Sequence, residues 1–188
     1  MACNMHGVGS SLGNYIKDMA QHLSPPSATH PAWQPCGAHH VAVYGTLRAG
    51  GVNDIARLRG GIVRTGTTTL NGTLHDMGWY PGLTLEGDQP VLAEVYPLDD
   101  ALEQVMDGIE GIWPHDVGEY AKRVLTRPVT HMDGSVQPLD VLVYEALPAF
   151  VQNAPVIHAG DWIAWYAAQG SPHSDEPFAL RTGNSAAP

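Results

Sequence analysis

Basic residues are scarce in this chain. It carries 9 Lys and Arg against 19 Asp and Glu, a formal net charge of -10 over 188 residues. Nucleic-acid binders present a basic face, so this balance argues against nucleic acid as a partner. It gives no help with an anionic membrane either. A small anion is not excluded, because a nest of backbone N–H groups can outweigh the global field. Cysteine is nearly missing, with only Cys3 and Cys36. No Cys-x-x-Cys or Cys/His ligand spacing exists, which argues against structural zinc. A Cys3–Cys36 disulfide is left open. The histidines are scattered; His39 and His40 are neighbours on an expected strand and would face opposite sides, a poor metal pair. No apolar run approaches a membrane span. The first residues lack the basic start and apolar core of a signal peptide. The chain therefore reads as soluble and cytoplasmic.

What is present suits one domain with decorated ends. Apolar residues make up 44% of the chain, enough for a real core. Residues 1–36 read as an appendage. Ser10 or Ser11 could cap a short helix through Leu23, with Leu12, Tyr15, Ile16, Met19 and Leu23 at helical spacing. Ser24-Pro25-Pro26-Ser27, then Pro31 and Pro35, break it into a linker. Residues 37–170 form the domain proper, and residues 171–188 a polar tail.

Within the domain, Val41-Ala42-Val43-Tyr44 reads as a buried strand that breaks at Gly45-Thr46. A bare loop leaving a strand offers unpaired N–H groups, which suit a carboxylate or a developing oxyanion. Asn53–Leu58 reads as a helical turn and Ile62–Leu74 as one or two strands. Leu74–Leu83 reads as a loop dense in Gly, Pro and aromatics, and Val91–Tyr96 as another strand. Asp99 caps the best helix, whose apolar face is Leu98, Leu102, Val105, Met106 and Ile109. Asp107 and Glu110 sit at its C-terminal end, where acids oppose the helix dipole, and Gly111 stops it. Glu119–Thr130 reads as a strand, with Pro128 hinting at an edge or bulge. Asp133-Gly134 is a turn, Leu139–Ala146 a strand, and Gly160-Asp161-Trp162 opens a last helix through Gln169. The order predicts an α+β fold: a small mixed, mostly antiparallel β-barrel with flanking helices.

Several blocks in this order resemble the gamma-glutamylcyclotransferase-like family. They are Tyr44-Gly45-Thr46-Leu47, Leu74-His75-Asp76-Met77-Gly78-Trp79-Tyr80-Pro81-Gly82, Met106-Asp107-Gly108-Ile109-Glu110-Gly111, Tyr120-Ala121-Lys122-Arg123-Val124 and Gly160-Asp161-Trp162. The likeness spans about residues 40–166. It departs at His75, where Tyr is usual, and at Lys122, where Arg is common; both departures bear on the substrate pocket. The resemblance implies that Glu110 is the general acid/base and that Tyr44, Gly45, Thr46 and Leu47 hold the glutamyl end of a small-molecule gamma-glutamyl substrate. The implied reaction is attack of the substrate's own α-amine on its side-chain amide, giving 5-oxoproline and a released amine. It implies no metal and no organic cofactor.

The residues fit that chemistry. One carboxylate can take a proton from the attacking amine and return it to the leaving nitrogen. Ring closure needs no enzyme nucleophile. Tyr80 and Tyr120 are candidates to wall the cleft. Blander readings stand beside each: Glu110 as a solvated helix end, Asp107 as a local hydrogen-bonding residue, Tyr44 as core, Trp79 and Tyr80 as loop packing, Arg123 as a surface pairing residue, His115 as a solvated loop residue. Two other classes remain open, a non-catalytic binder using the same cavity and an interaction module built on residues 1–36. The oligomeric state is left open.

Overall fold

A computed structural model of the chain describes residues 32–170. The helix expected between Ser10 and Leu23, Cys3, and the tail from residue 171 lie outside the described residues. The compact unit that contains the domain begins at Trp33, slightly ahead of the boundary drawn from the prolines.

Among the described residues, six strands and four short helices follow one another. They are β1 (His40–Val43), α1 (Ile55–Leu58), β2 (Gly66–Asp76), β3 (Pro81–Pro97), α2 (Asp100–Ile109), β4 (Tyr120–His131), β5 (Val136–Ala146), α3 (Pro148–Val151), β6 (Val156–Ile157) and α4 (Trp162–Ala168). The sheet runs β3-β1-β5-β4-β2, and β2 pairs again with β3, so five strands close a barrel. β6 adds to the outside of β2. β1 lies parallel to β5, while the other pairings are antiparallel. This is the small mixed barrel that the order of elements predicts. Closure removes the open edges that invite association.

Strand alternation divides the core into two layers. Ala42, Tyr44, Leu70, Leu74, Val91, Ala93, Val95, Val129, Val141 and Val143 fill the barrel together with Trp162 from α4. Their neighbours along the strands face the other way. Val41, Val43, Leu142, Tyr144 and Tyr120 pack outward against Leu98, Leu102 and Met106 of the α2 region. The period of two along each strand thus serves both layers at once.

The structure differs from the sequence expectations at three places. Leu74–Leu83 is not one long loop. β2 and β3 stay paired through Leu74↔Leu83, His75↔Gly82 and Asp76↔Pro81, leaving only residues 77–80 as the connection. Pro81 is tolerated because it stands at the first position of its strand. Second, the buried face of α2 is not purely apolar. Val105 is 48% exposed, whereas Glu103 and Asp107 are each 1% exposed. Their burial has a cause across the interface, described below. Third, α3 and β6 carry no strong local signal, and sequence reasoning missed both.

Candidate active site

α2 carries the central carboxylate. Asp99 caps its start by accepting from the Leu102 N–H at 2.9 Å, and Asp100 and Glu103 place negative charge in the first turn, where the dipole favours it. The other end has no basic residue in its last turn. Glu110 is the C-cap, its N–H bonded to the Met106 carbonyl at 2.9 Å. The chain then turns at Gly111, with φ +65°.

Glu110 opens onto a cavity of about 60 Å³ lined by Ala42–Leu47, Tyr80, Pro81, Tyr120 and Tyr144 as well as itself. All seven candidate residues named from the sequence (Tyr44, Gly45, Thr46, Leu47, Tyr80, Glu110 and Tyr120) meet in this one space. They come from the end of β1, the β2–β3 connection, the end of α2 and the start of β4. A second hollow of about 260 Å³ lies between residues 59–63 and 97–99. Its charged groups, Arg59 and Asp99, are paired with each other, so it presents no free acid or base.

The surroundings set the electrostatics. Glu110 is half-buried as a residue. Withdrawal of its carboxyl from water pushes its pKa up from 4.5 to about 8, and repulsion by Glu119 and Asp107 adds to this. Burial also pushes the hydroxyls of Tyr44, Tyr120 and Tyr144 far above the usual phenol range, and the Glu110 charge acts in the same sense on all three. These phenols are therefore neutral at any physiological pH. Tyr44 donates to the Tyr144 carbonyl at 2.8 Å and Tyr120 to the Pro81 carbonyl at 3.3 Å. Tyr80 is braced edgewise by Trp79, with ring centroids 4.8 Å apart.

The loop after β1 is folded tightly on itself. Arg48 N–H bonds to Gly45, Gly51 to Arg48, Asn53 to Thr46 and Ile55 to Leu47. Ala49 N–H is held by the Glu94 carboxylate at 2.8 Å. The N–H groups of Gly45, Thr46 and Leu47 take no part in those bonds, and the three residues line the cavity. A Cβ at Gly51 would sit 2.2 Å from the Thr46 carbonyl oxygen, so a bare residue lets the loop fold back. Arg48, 7% exposed, pins the loop from behind. It donates to Asp161 at 2.7 Å and lies 3.6 Å from Glu94. Asp161 also caps α4 through the Ala164 N–H. The Gly-Asp-Trp block thus helps hold the site loop, a link the sequence did not disclose.

Gly45 has a steric reason beside the one expected. A Cβ there would meet Pro81 Cγ at 2.7 Å and Cδ at 2.9 Å. A proline ring tied to the backbone cannot swing aside, and Pro81 is itself a cavity wall. Gly45→Val should therefore lower stability by about 1–3 kcal/mol, as overpacking does, and distort the cavity as well. Thermal melts and ligand titration together would check this. A wild-type melt would show that the loop relaxes freely.

Other sequence readings fall away from the cavity. His75 lies on β2, its Nε2 3.4 Å from Thr84 Oγ1, and does not line the cavity. Lys122 is also outside it, so neither departure from the family pattern alters the pocket wall. Arg123 pairs with Glu145 at 2.6 Å on the surface. Asp107 does not bond locally: its carboxylate accepts from Trp33, Lys122 and Tyr144, residues distant in sequence. Tyr144 and Pro81 are cavity residues that sequence reasoning did not select. The signal for Tyr144 was its place in strand register opposite Lys122, visible only once the pairing is known. Among the described residues no group of three or more His, Cys, Asp and Glu could hold a metal ion. No helix among them is long and apolar enough to cross a membrane.

Comparison with known proteins bears on this arrangement. A curated relative from Vibrio cholerae, named "Putative gamma-glutamylcyclotransferase", is 38% identical over 74 residues, which is 39% of this chain and 64% of the relative. The chain thus spans less than two thirds of that relative's length. The crystal structure of an AIG2-like protein from Mus musculus is similar with a TM-score of 0.51 and 22% identity, over 66% of this chain and 88% of that one. At that identity the likeness concerns the fold alone. An uncharacterized protein from Pyrococcus horikoshii matches with a TM-score of 0.48 and 20% identity, over 72% of this chain and 99% of that one. The profile of the family described as "Gamma-glutamyl cyclotransferase, AIG2-like" matches residues 41–164, a span that holds every residue of the cavity, and the chain belongs to that family.

Proposed function

We propose that the protein is a cyclotransferase that releases 5-oxoproline from a gamma-glutamyl amine or peptide, with Glu110 as general acid/base. The observation that carries this reading is that Glu110 and the Gly45-Thr46-Leu47 loop line one small cavity, the N–H groups of those three residues taking no part in the bonds that fold the loop. The glutamyl end would lie against that loop, whose N–H groups suit its carboxylate or the developing oxyanion. The substrate's α-amine attacks the side-chain carbonyl carbon, a carbon–nitrogen bond forms, and a five-membered ring closes. Glu110 takes the proton from the amine and passes it to the leaving nitrogen as the amide bond breaks. Tyr44, Tyr80, Tyr120 and Tyr144 wall the space and limit water. Holding the chain curled supplies the proximity that an intramolecular reaction needs.

A carboxyl that titrates near 8 is matched to this task, because it can both accept and return a proton near neutrality. As a base it must first be ionised, so kcat/KM should rise with pH and level off above about 8. An ordinary solvated glutamate would put that limb near 4.5. A pH–rate profile distinguishes the two. The direct test of the function is 5-oxoproline release from a panel of gamma-glutamyl compounds whose leaving groups are an amino acid, a lysine side chain and a small amine. Binding of these compounds without release from any would leave a small-molecule binder instead.

A further inference from the structure

Behind the cavity lies a second cluster of charges. Glu103 and Asp107, one turn apart on α2, are both 1% exposed. Lys122 of β4 donates to both, at 2.7 Å and 2.8 Å, and to the Gln34 carbonyl at 3.1 Å. Glu103 also accepts from the Cys36 N–H at 2.8 Å. Asp107 is fully engaged: Trp33 Nε1 donates to its Oδ2 at 2.7 Å and the Tyr144 hydroxyl to its Oδ1 at 2.7 Å. Its main-chain carbonyl accepts from Ile112 at 2.8 Å and Trp113 at 3.2 Å, the turn just beyond Glu110.

Asp107 does not line the cavity, yet it touches what does. On one side it holds Tyr144, a wall residue whose carbonyl in turn accepts from Tyr44. On the other it anchors the segment that follows Glu110. We propose that Asp107 is a positioning residue for the reaction: through Tyr144 and the turn after α2 it fixes the cavity wall and Glu110 relative to each other. This rests on the reading of Glu110 as the acid/base group. The charged groups that act on Glu110 are Glu119 before β4 and Asp107 on its own helix; the phenols of Tyr44 at the end of β1, Tyr120 on β4 and Tyr144 on β5 feel its charge in turn. Lys122 bonds to Asp107 and bridges it to Glu103. A charged Asp107 disfavours the charged form of Glu110, which supports its proton affinity.

The experiment reads Glu110 itself. Protein labelled with 13C at the glutamate carboxyls is titrated by NMR, the Glu110 signal being assigned by its loss in Glu110→Gln. In Asp107→Asn, which keeps the shape but removes the charge and one of the two acceptor oxygens, the Glu110 midpoint should fall by on the order of one unit. The acid limb of kcat/KM should move with it. An unchanged midpoint in the folded variant overturns the proposal; because the lost charge also acts on Glu110 directly, the share that runs through Tyr144 is read in Tyr144→Phe. If Asp107→Asn does not fold, Tyr144→Phe decides, because it leaves the ionic cluster intact. There Asp107 loses a donor that partly neutralised it, so the Glu110 midpoint should rise; no change overturns the proposal. Because the midpoint needs no turnover, a wild type that forms no 5-oxoproline would sink the proposed function and leave this test standing.

Discussion

Glu110→Gln should reduce turnover by roughly a hundredfold or more, the scale of a lost general acid/base, while ligand binding survives. Glutamine has nearly the same volume and can hydrogen-bond, but it cannot take and return a proton. The substrate's glutamyl end is assigned to the N–H groups of residues 45–47, which the substitution does not touch. Stability offers a second readout with a definite sign. Burial raises the folded pKa of Glu110 from 4.5 to about 8. The folded state therefore holds this proton more tightly than the unfolded chain does. Its contribution is fully present below about 4.5 and is lost as pH rises to about 8. Glutamine removes that dependence, so the variant should melt like wild type at low pH and higher than wild type above pH 8. Side-by-side 5-oxoproline assays and melts across this range check both parts. Equal turnover by the two proteins would put the base elsewhere.

Lys122→Met should be the most damaging single change to the fold outside the apolar core. Lys122 is the cation between two carboxylates whose side chains are 2% and 1% exposed. Burial works against its charge, but the hydrogen bonds it donates to Asp107 and Glu103, with their negative charge, outweigh this and raise its pKa. Methionine matches the stem and removes the ammonium, leaving two buried acids facing each other. Breaking a buried ion pair from one side costs about 3–5 kcal/mol, because the remaining charge is uncompensated. Urea denaturation would read the loss. Adding Glu103→Gln to Lys122→Met should restore part of it, since one stranded charge is then gone. A loss no larger than that of an exposed pair, below about 1 kcal/mol, would mean that the cluster does not hold the fold. The same variant should also loosen Trp33–Cys36, which this cluster holds by three hydrogen bonds.

Much of the fold was legible in the chain because its signals are local. Val41–Tyr44 alternates correctly for a strand that serves two layers. Asp99 and Asp161 cap the helices that they were expected to cap, because a short acceptor before an apolar-periodic run has few other roles. The ordered blocks placed Glu110 and the Tyr44–Leu47 loop as candidates before any geometry was known. Their meeting is a different matter. It depends on β1 lying parallel to β5 and antiparallel to β3, which brings the end of β1 beside the end of α2. No spacing along the chain encodes that register.

The burial of Glu103 and Asp107 shows the limit most sharply. On the helix alone they look like solvent-facing acids, and Val105 looks like core. What reverses them is Lys122, a lysine on a strand added after the helix, with Tyr144 in register across from it. Charge burial is a property of the pair and not of either residue, so the pairing must exist before the pattern can be read. Gly45 teaches the same lesson in steric form: its bareness answers to the Pro81 ring, a neighbour that only barrel closure supplies.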